Sequence, residues 1–200
     1  MKKIMMLLTA LGIVLMIAAF AFAGDKMVIF LKNGKQQSID VSAIQKVEFQ
    51  AGATSGSTAI SSGAGYRVIS KNSGKCMDVS GNEMGNAANV HQWDCHGGNN
   101  QRWYVTANGQ GNYTFKAAHS GRCLDVSGVS TATGANVYQW DCHGGDNQAW
   151  TLIPQGGGYY MITAKHSGKC LDVAGVSRDN GANIYQWDCH GGDNQLWKLQ

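Results

Sequence analysis

Proline is almost missing from this chain: Pro154 is the only one in 200 residues, so turns fall to its 27 glycines. Charge is scarce as well, at 14% of residues, and glutamate is confined to Glu48 and Glu83. No sustained helical period runs through the residues after the first two dozen, which excludes a helical bundle. The thin charge excludes other classes. There are 16 basic and 13 acidic residues. Without Lys2 and Lys3, which belong to a leader, the balance is 14 − 13 = +1. Such a chain has no electrostatic reason to seek nucleic acid or an anionic membrane. No close Cys-x-x-Cys pair occurs, which argues against zinc, and no other metal or cofactor is expected.

Residues 1–23 read as a signal peptide. Two lysines are followed by an apolar run from Ile4 to Phe22 that closes on Ala21-Phe22-Ala23, a small-x-small cleavage pattern. Export with cleavage after Ala23 is expected, leaving 200 − 23 = 177 residues, enough for one domain with a core. No membrane insertion is expected once the leader is removed. The product is then secreted, periplasmic or extracellular, and the six cysteines are expected as disulfides. Residues 24–50 read as a small β segment, with a strand at Met27–Leu31, a tight turn at Lys32–Lys35 and further apolar positions such as Ile39 and Val41. It is too small to hold a core alone; docking or tethering is favoured over a separate activity, but the sequence leaves its role open. Residues 51–64, rich in Gly, Ser, Ala and Thr, read as a flexible linker.

The rest is one unit written three times. Segments 72–103, 119–150 and 166–197 align without gaps at a period of 47. The second matches the third at 25 of 32 positions and the first matches the third at 20. Each copy carries two cysteines nineteen positions apart. Of the fifteen ways to pair six cysteines, pairing within each copy (Cys76–Cys95, Cys123–Cys142, Cys170–Cys189) is the simplest, because it gives three equivalent bridges. Each is worth about 3 kcal/mol on a chain-entropy estimate. Short β-rich runs such as Met161–Ala164 and Asn183–Trp187, punctuated by Ser-Gly, Gly-Gly and Asn-Gly, predict an all-β fold. One such unit cannot bury its own face, so the three must close on each other.

Near the end of every copy stands Gln-x-Trp: Gln101-Arg102-Trp103, Gln148-Ala149-Trp150 and Gln195-Leu196-Trp197. Each follows a Cys-x-Asp-Val and an Asp-Cys-His. Three such motifs in register resemble the ricin B-type lectin domain, over residues 65–200. The resemblance implies a β-trefoil and a glycan or polysaccharide partner. It also implies a site in each copy. Asp78, Asp125 and Asp172 match the family's sugar-binding aspartate, whose carboxylate accepts from vicinal hydroxyls. Trp93, Trp140 and Trp187 match its stacking aromatic, whose ring suits the apolar face of a sugar. Two positions earlier, on the same face of a strand, are His91, Tyr138 and Tyr185. Galactose-binding members often carry Gln there, and the tyrosines are similar to those of actinohivin-like mannose-binding repeats. His96, His143 and His190 resemble the histidine that donates to sugar in xylan-binding members. Asn100, Asn147 and Asn194 match the family's amide ligand. The Gln-x-Trp tryptophans Trp103, Trp150 and Trp197 are assigned to the core. Their partners Gln101, Gln148 and Gln195 satisfy backbone groups or help the pocket.

The reading is therefore a non-catalytic lectin with three pockets and no specified oligomeric state. Two alternatives come from other classes. A glycoside hydrolase, or an accessory subunit of one, needs two carboxylates flanking the scissile bond. Asp172 and Asp188 could be nominated, but they face opposite ways in a strand, and both glutamates lie outside the repeated set. A protein-binding trefoil would use loops and would have no need of three intact pockets.

Overall fold

The computed structural model describes residues 60–200, together with the backbone of two strands, β1 (Lys26–Phe30) and β2 (Gln36–Asp40). The expected signal peptide 1–23, the expected turn at Lys32–Lys35 and the expected linker up to residue 59 lie outside the described residues. β1 and β2 pair antiparallel, with Lys26 opposite Asp40 and Phe30 opposite Gln36, and form a two-stranded sheet of their own.

The second unit is all-β. Its strands are β3 (Ala64–Tyr66), β4 (Val68–Ser70), β5 (Cys76–Val79), β6 (Val90–Trp93) and β7 (Trp103–Ala107) in the first copy. β8 (Tyr113–Ala117), β9 (Cys123–Val126), β10 (Val137–Trp140) and β11 (Trp150–Gly156) form the second. β12 (Tyr159–Ala164), β13 (Cys170–Val173), β14 (Ile184–Trp187) and β15 (Leu196–Leu199) form the third. The outer strands of the copies pair in the order β7, β8, β11, β12, β15, β4. β3, separated from β4 only by Arg67, returns to β7 and closes the ring. Closure removes the sheet edges. The inner strands form three hairpins, β5–β6, β9–β10 and β13–β14, one per copy. This is a β-trefoil. It starts slightly before residue 65, since Gly63 N–H already donates to Val105 O at 2.7 Å.

The core follows the repeat. Val68, Phe115 and Ile162 occupy one position in the three copies; Met77, Leu124 and Leu171 occupy another. Trp103, Trp150 and Trp197 are fully buried. Each indole N–H donates to the carbonyl just before the aspartate, at Met77, Leu124 and Leu171 (3.1, 3.1 and 2.9 Å). A core tryptophan thus fixes the strand that carries the aspartate. The cysteines pair within each copy, with Cα atoms 5.2, 5.1 and 5.1 Å apart, tying each hairpin's first strand to the segment just after its second.

Candidate functional site

Register brings the site residues together. Within each hairpin Asp78 lies opposite His91, Asp125 opposite Tyr138 and Asp172 opposite Tyr185. The indole two residues on shares the face of that ring. Ring centroids are 5.4 Å apart for His91–Trp93, 5.4 Å for Tyr138–Trp140 and 5.1 Å for Tyr185–Trp187. The three indoles stand out to solvent, 41, 36 and 38% exposed, whereas the Gln-x-Trp indoles are at 0%. Burial therefore separates the two tryptophan sets.

The aspartates are the opposite case, buried to 3, 2 and 1% exposure. A buried carboxylate must be hydrogen-bonded, and the Gln of Gln-x-Trp supplies the bond. Gln101, Gln148 and Gln195 Nε2 donate to Asp Oδ2 at 2.8, 2.7 and 2.8 Å. The same Nε2 donates to the carbonyl of Asp94, Asp141 or Asp188, and Oε1 accepts the backbone N–H of His96, His143 or His190. One amide thus joins the aspartate, the segment after the indole and the histidine.

Those histidines lean on the carboxylates, with Nε2 at 3.3, 3.2 and 3.4 Å from Oδ2. Nδ1 accepts from the N–H of Gly98, Gly145 or Gly192 at 3.1 Å. A ring whose Nδ1 accepts carries its proton on Nε2, which faces the carboxylate. A Cβ on Gly98 would come within 2.7 Å of both His96 Cε1 and Asn100 Oδ1, so the second glycine of each Gly-Gly admits this packing. Asn100, Asn147 and Asn194 are buried. They donate to the carbonyls of Val79, Val126 and Val173, and Asn100 also to Asp78 Oδ2.

Burial pushes the carboxyls of Asp125 and Asp172 above the usual aspartate value of 3.8, against the opposing bonds from glutamine, histidine and asparagine. The Tyr185 phenol is also pushed up, by burial and then by the charge of Asp172, so it stays neutral. Tyr138 Oη accepts from Gly128 N–H at 3.4 Å. In the first copy His91 Nε2 lies instead 3.2 Å from Asp78 Oδ1, so both oxygens of that aspartate carry an imidazole. The shorter ring leaves more room. The first cavity measures about 430 Å³ and the second about 220 Å³. Asp78, His91, Trp93, His96 and Asn100 line the first, and Asp125, Tyr138, Trp140, His143 and Asn147 the second.

Several residues that hold the site were not singled out from sequence. Gln92, Gln139 and Gln186, on the strand face opposite the indoles, are fully buried. Each reaches into the preceding copy, the first wrapping to the third. Gln139 Nε2 donates to Glu83 O and Gly85 O, both at 2.8 Å. Gln92 makes the same pair with Ser177 and Asp179, and Gln186 with Ser130 and Ala132. Asn89, Asn136 and Asn183 form a closed ring of amides, each donating to the next at 2.8–3.0 Å. Asp94 and Asp188 point outward but grip the neighbouring loop as well, through Asn180 and Thr133. The Lys75 ammonium, then the Asn180 amide, hold the Asp94 carboxyl below the usual range, and Lys169 and Thr133 do the same for Asp188. Asp188 is thus turned to a loop while Asp172 is buried against Gln195 and His190. They do not form a facing carboxylate pair.

The model of the ricin-type β-trefoil lectin domain matches residues 64–197, and the chain belongs to that family. Among solved structures it is similar to ThreeFoil, a designed threefold-symmetric protein, at 47% identity over 68% of this chain and 96% of that one, with a TM-score of 0.67. It is similar to an exo-β-1,3-galactanase from Clostridium thermocellum at 34% identity over 87% of this chain, TM-score 0.66, but spans only 37% of that enzyme. The fold also matches the Macrolepiota procera ricin B-like lectin, solved with lactose, at 23% identity over 72% of this chain and 99% of that one, TM-score 0.63. No curated protein matches the chain.

Proposed function

We propose that the protein is an exported, non-catalytic lectin that binds glycan or polysaccharide through three pockets at once. The observation that carries this is the pairing, in every copy, of an exposed indole with a buried, pre-oriented aspartate on one strand face. The indole takes the apolar face of a pyranose, and the carboxylate accepts from its hydroxyls. The glutamine holds Oδ2 in place, so little ordering remains to be done on binding. Among the solved relatives the M. procera lectin holds lactose, and an earthworm R-type lectin half-chain holds GalNAc. Those sugars are the first to test here. Export is supported by the leader pattern and by three disulfides, which persist in oxidising compartments.

One open pocket of this kind is worth about 4 kcal/mol, a millimolar affinity. Three on a rigid body gain about 10²-fold on a repeating glycan. Isothermal titration against a monosaccharide and its polysaccharide is expected to give weak and tight binding respectively. Equal weak affinity for both would remove the multivalent reading. The galactanase likeness motivates a second assay. Reducing-sugar release from a β-1,3-galactan and a wider glycan panel is expected to stay at background. Release above it would move the protein to the hydrolases.

A further inference from the structure

Pockets two and three carry an apolar side chain held in a conformation that its residue type disfavours. After each aspartate strand the chain makes a tight left-handed turn: Ser80–Asn82, Ser127–Val129 and Ala174–Val176. Both central residues have positive φ. Gly81, Gly128 and Gly175 have φ of 62°, 62° and 63°, and Asn82, Val129 and Val176 follow at 54°, 53° and 56°. Gly and Asn suit a turn of this hand, whereas a β-branched residue is an outlier there. The first copy shows that the scaffold builds the same turn with the favoured asparagine. The valines are not core residues that burial could explain, being 57 and 56% exposed. Val129 lines the second cavity with Tyr138 and Trp140, and Val176 holds the same position in the third copy. Pocket one has Ser80, Gly81 and Asn82 on that wall. Strained residues with no packing role point to ligand contact.

We propose that Val129 and Val176 are specificity residues that favour a sugar carrying a methyl group, as an N-acetyl or a 6-deoxy substituent. Asn82 makes pocket one indifferent to it. This rests on the lectin reading. A methyl closed between valine and the aromatic wall leaves water, and burying a group of that size favours binding about fourfold. A hydroxyl there gains nothing from valine.

The test uses the full chain and the double variant Val129→Asn/Val176→Asn, which installs the residue the turn prefers and so folds. Titrations compare galactose with N-acetylgalactosamine and with 6-deoxygalactose, and mannose with N-acetylmannosamine and with 6-deoxymannose. In the native protein one methyl-bearing member is expected to bind about fourfold tighter than its parent at two of three sites. Which pair responds identifies the substituent. In the double variant the ratio is expected to fall to about one while the melting temperature holds or rises. A higher melting temperature with an unchanged ratio overturns the proposal and leaves the valines a merely structural feature. Equal binding of parent and methyl-bearing sugars by the native protein also overturns it, with the lectin reading intact. No binding to any sugar or polysaccharide fails the lectin reading itself.

Discussion

Replacing Gln139 by Glu tests whether each pocket wall is held by the neighbouring copy. The side chain is at 0% exposure. Its Nε2 donates to Glu83 O and Gly85 O at 2.8 Å, and its Oε1 accepts from Ser120 Oγ at 2.7 Å. A carboxyl of the same shape keeps the acceptor but sets an oxygen against two carbonyls. Two bonds of about 1 kcal/mol each are lost. The buried, unpaired charge adds a further penalty, for a total of about 3–5 kcal/mol, a large share of a domain's ~5–15 kcal/mol. Desolvation raises the introduced group's folded pKa above its unfolded value. The loss is therefore fully present above the folded pKa and shrinks as pH falls through it. Urea denaturation followed by tryptophan fluorescence at pH 7 and at about pH 4.5 is the assay. Gln139→Met, which removes the bonds without adding charge, is expected to cost less and to show no such pH dependence. A loss below about 1 kcal/mol for Gln139→Glu at pH 7 would refute the inter-copy staple.

Three further outcomes follow from the same geometry. Asp125 and Asp172 have folded pKa values raised above 3.8. Acidification through those values should weaken sugar binding in pockets two and three and, by linkage, relieve a destabilisation present above them. Affinity falling while these two sites stabilise the fold is the signature, read by titration and melting in parallel. Ser70, at 1% exposure, has a hydroxyl without a partner among the described residues, where the other copies have Ala117 and Ala164. Ser70→Ala should raise stability by about 1 kcal/mol in denaturant titration. Replacing Cys123 and Cys142 together by serine opens one loop of sequence separation 19 and should cost about 3 kcal/mol by the same method.

The sequence carried the aspartate, the indole, the glutamine and the asparagine because each recurs at a 47-residue period beside a cysteine that anchors the register. The period also implied closure, since no copy can bury its own face. What it could not convey is which copy a side chain reaches. Gln92, Gln139 and Gln186 recur as faithfully as the tryptophans, yet their partners lie 54–87 residues away in a neighbouring copy. The ring of Asn89, Asn136 and Asn183 is likewise invisible to spacing, because it exists only where three copies meet. Identity across the copies at these positions was the available signal. The strain at Val129 and Val176 is hidden for another reason: Gly-Val does not announce a left-handed turn, and only Gly-Asn in the first copy hints at one. The orientation of His96, His143 and His190 depends on the glycine N–H that each Nδ1 accepts, which motif matching does not reveal.

The number of sugars bound per chain tests the central claim most directly. Calorimetry or native mass spectrometry with a saturating monosaccharide should count three on the native protein and two on each of Trp93→Ala, Trp140→Ala and Trp187→Ala, all of them folded, since these indoles lie outside the core. An unchanged count in all three variants would contradict the claim that an exposed indole and a buried aspartate together make the site.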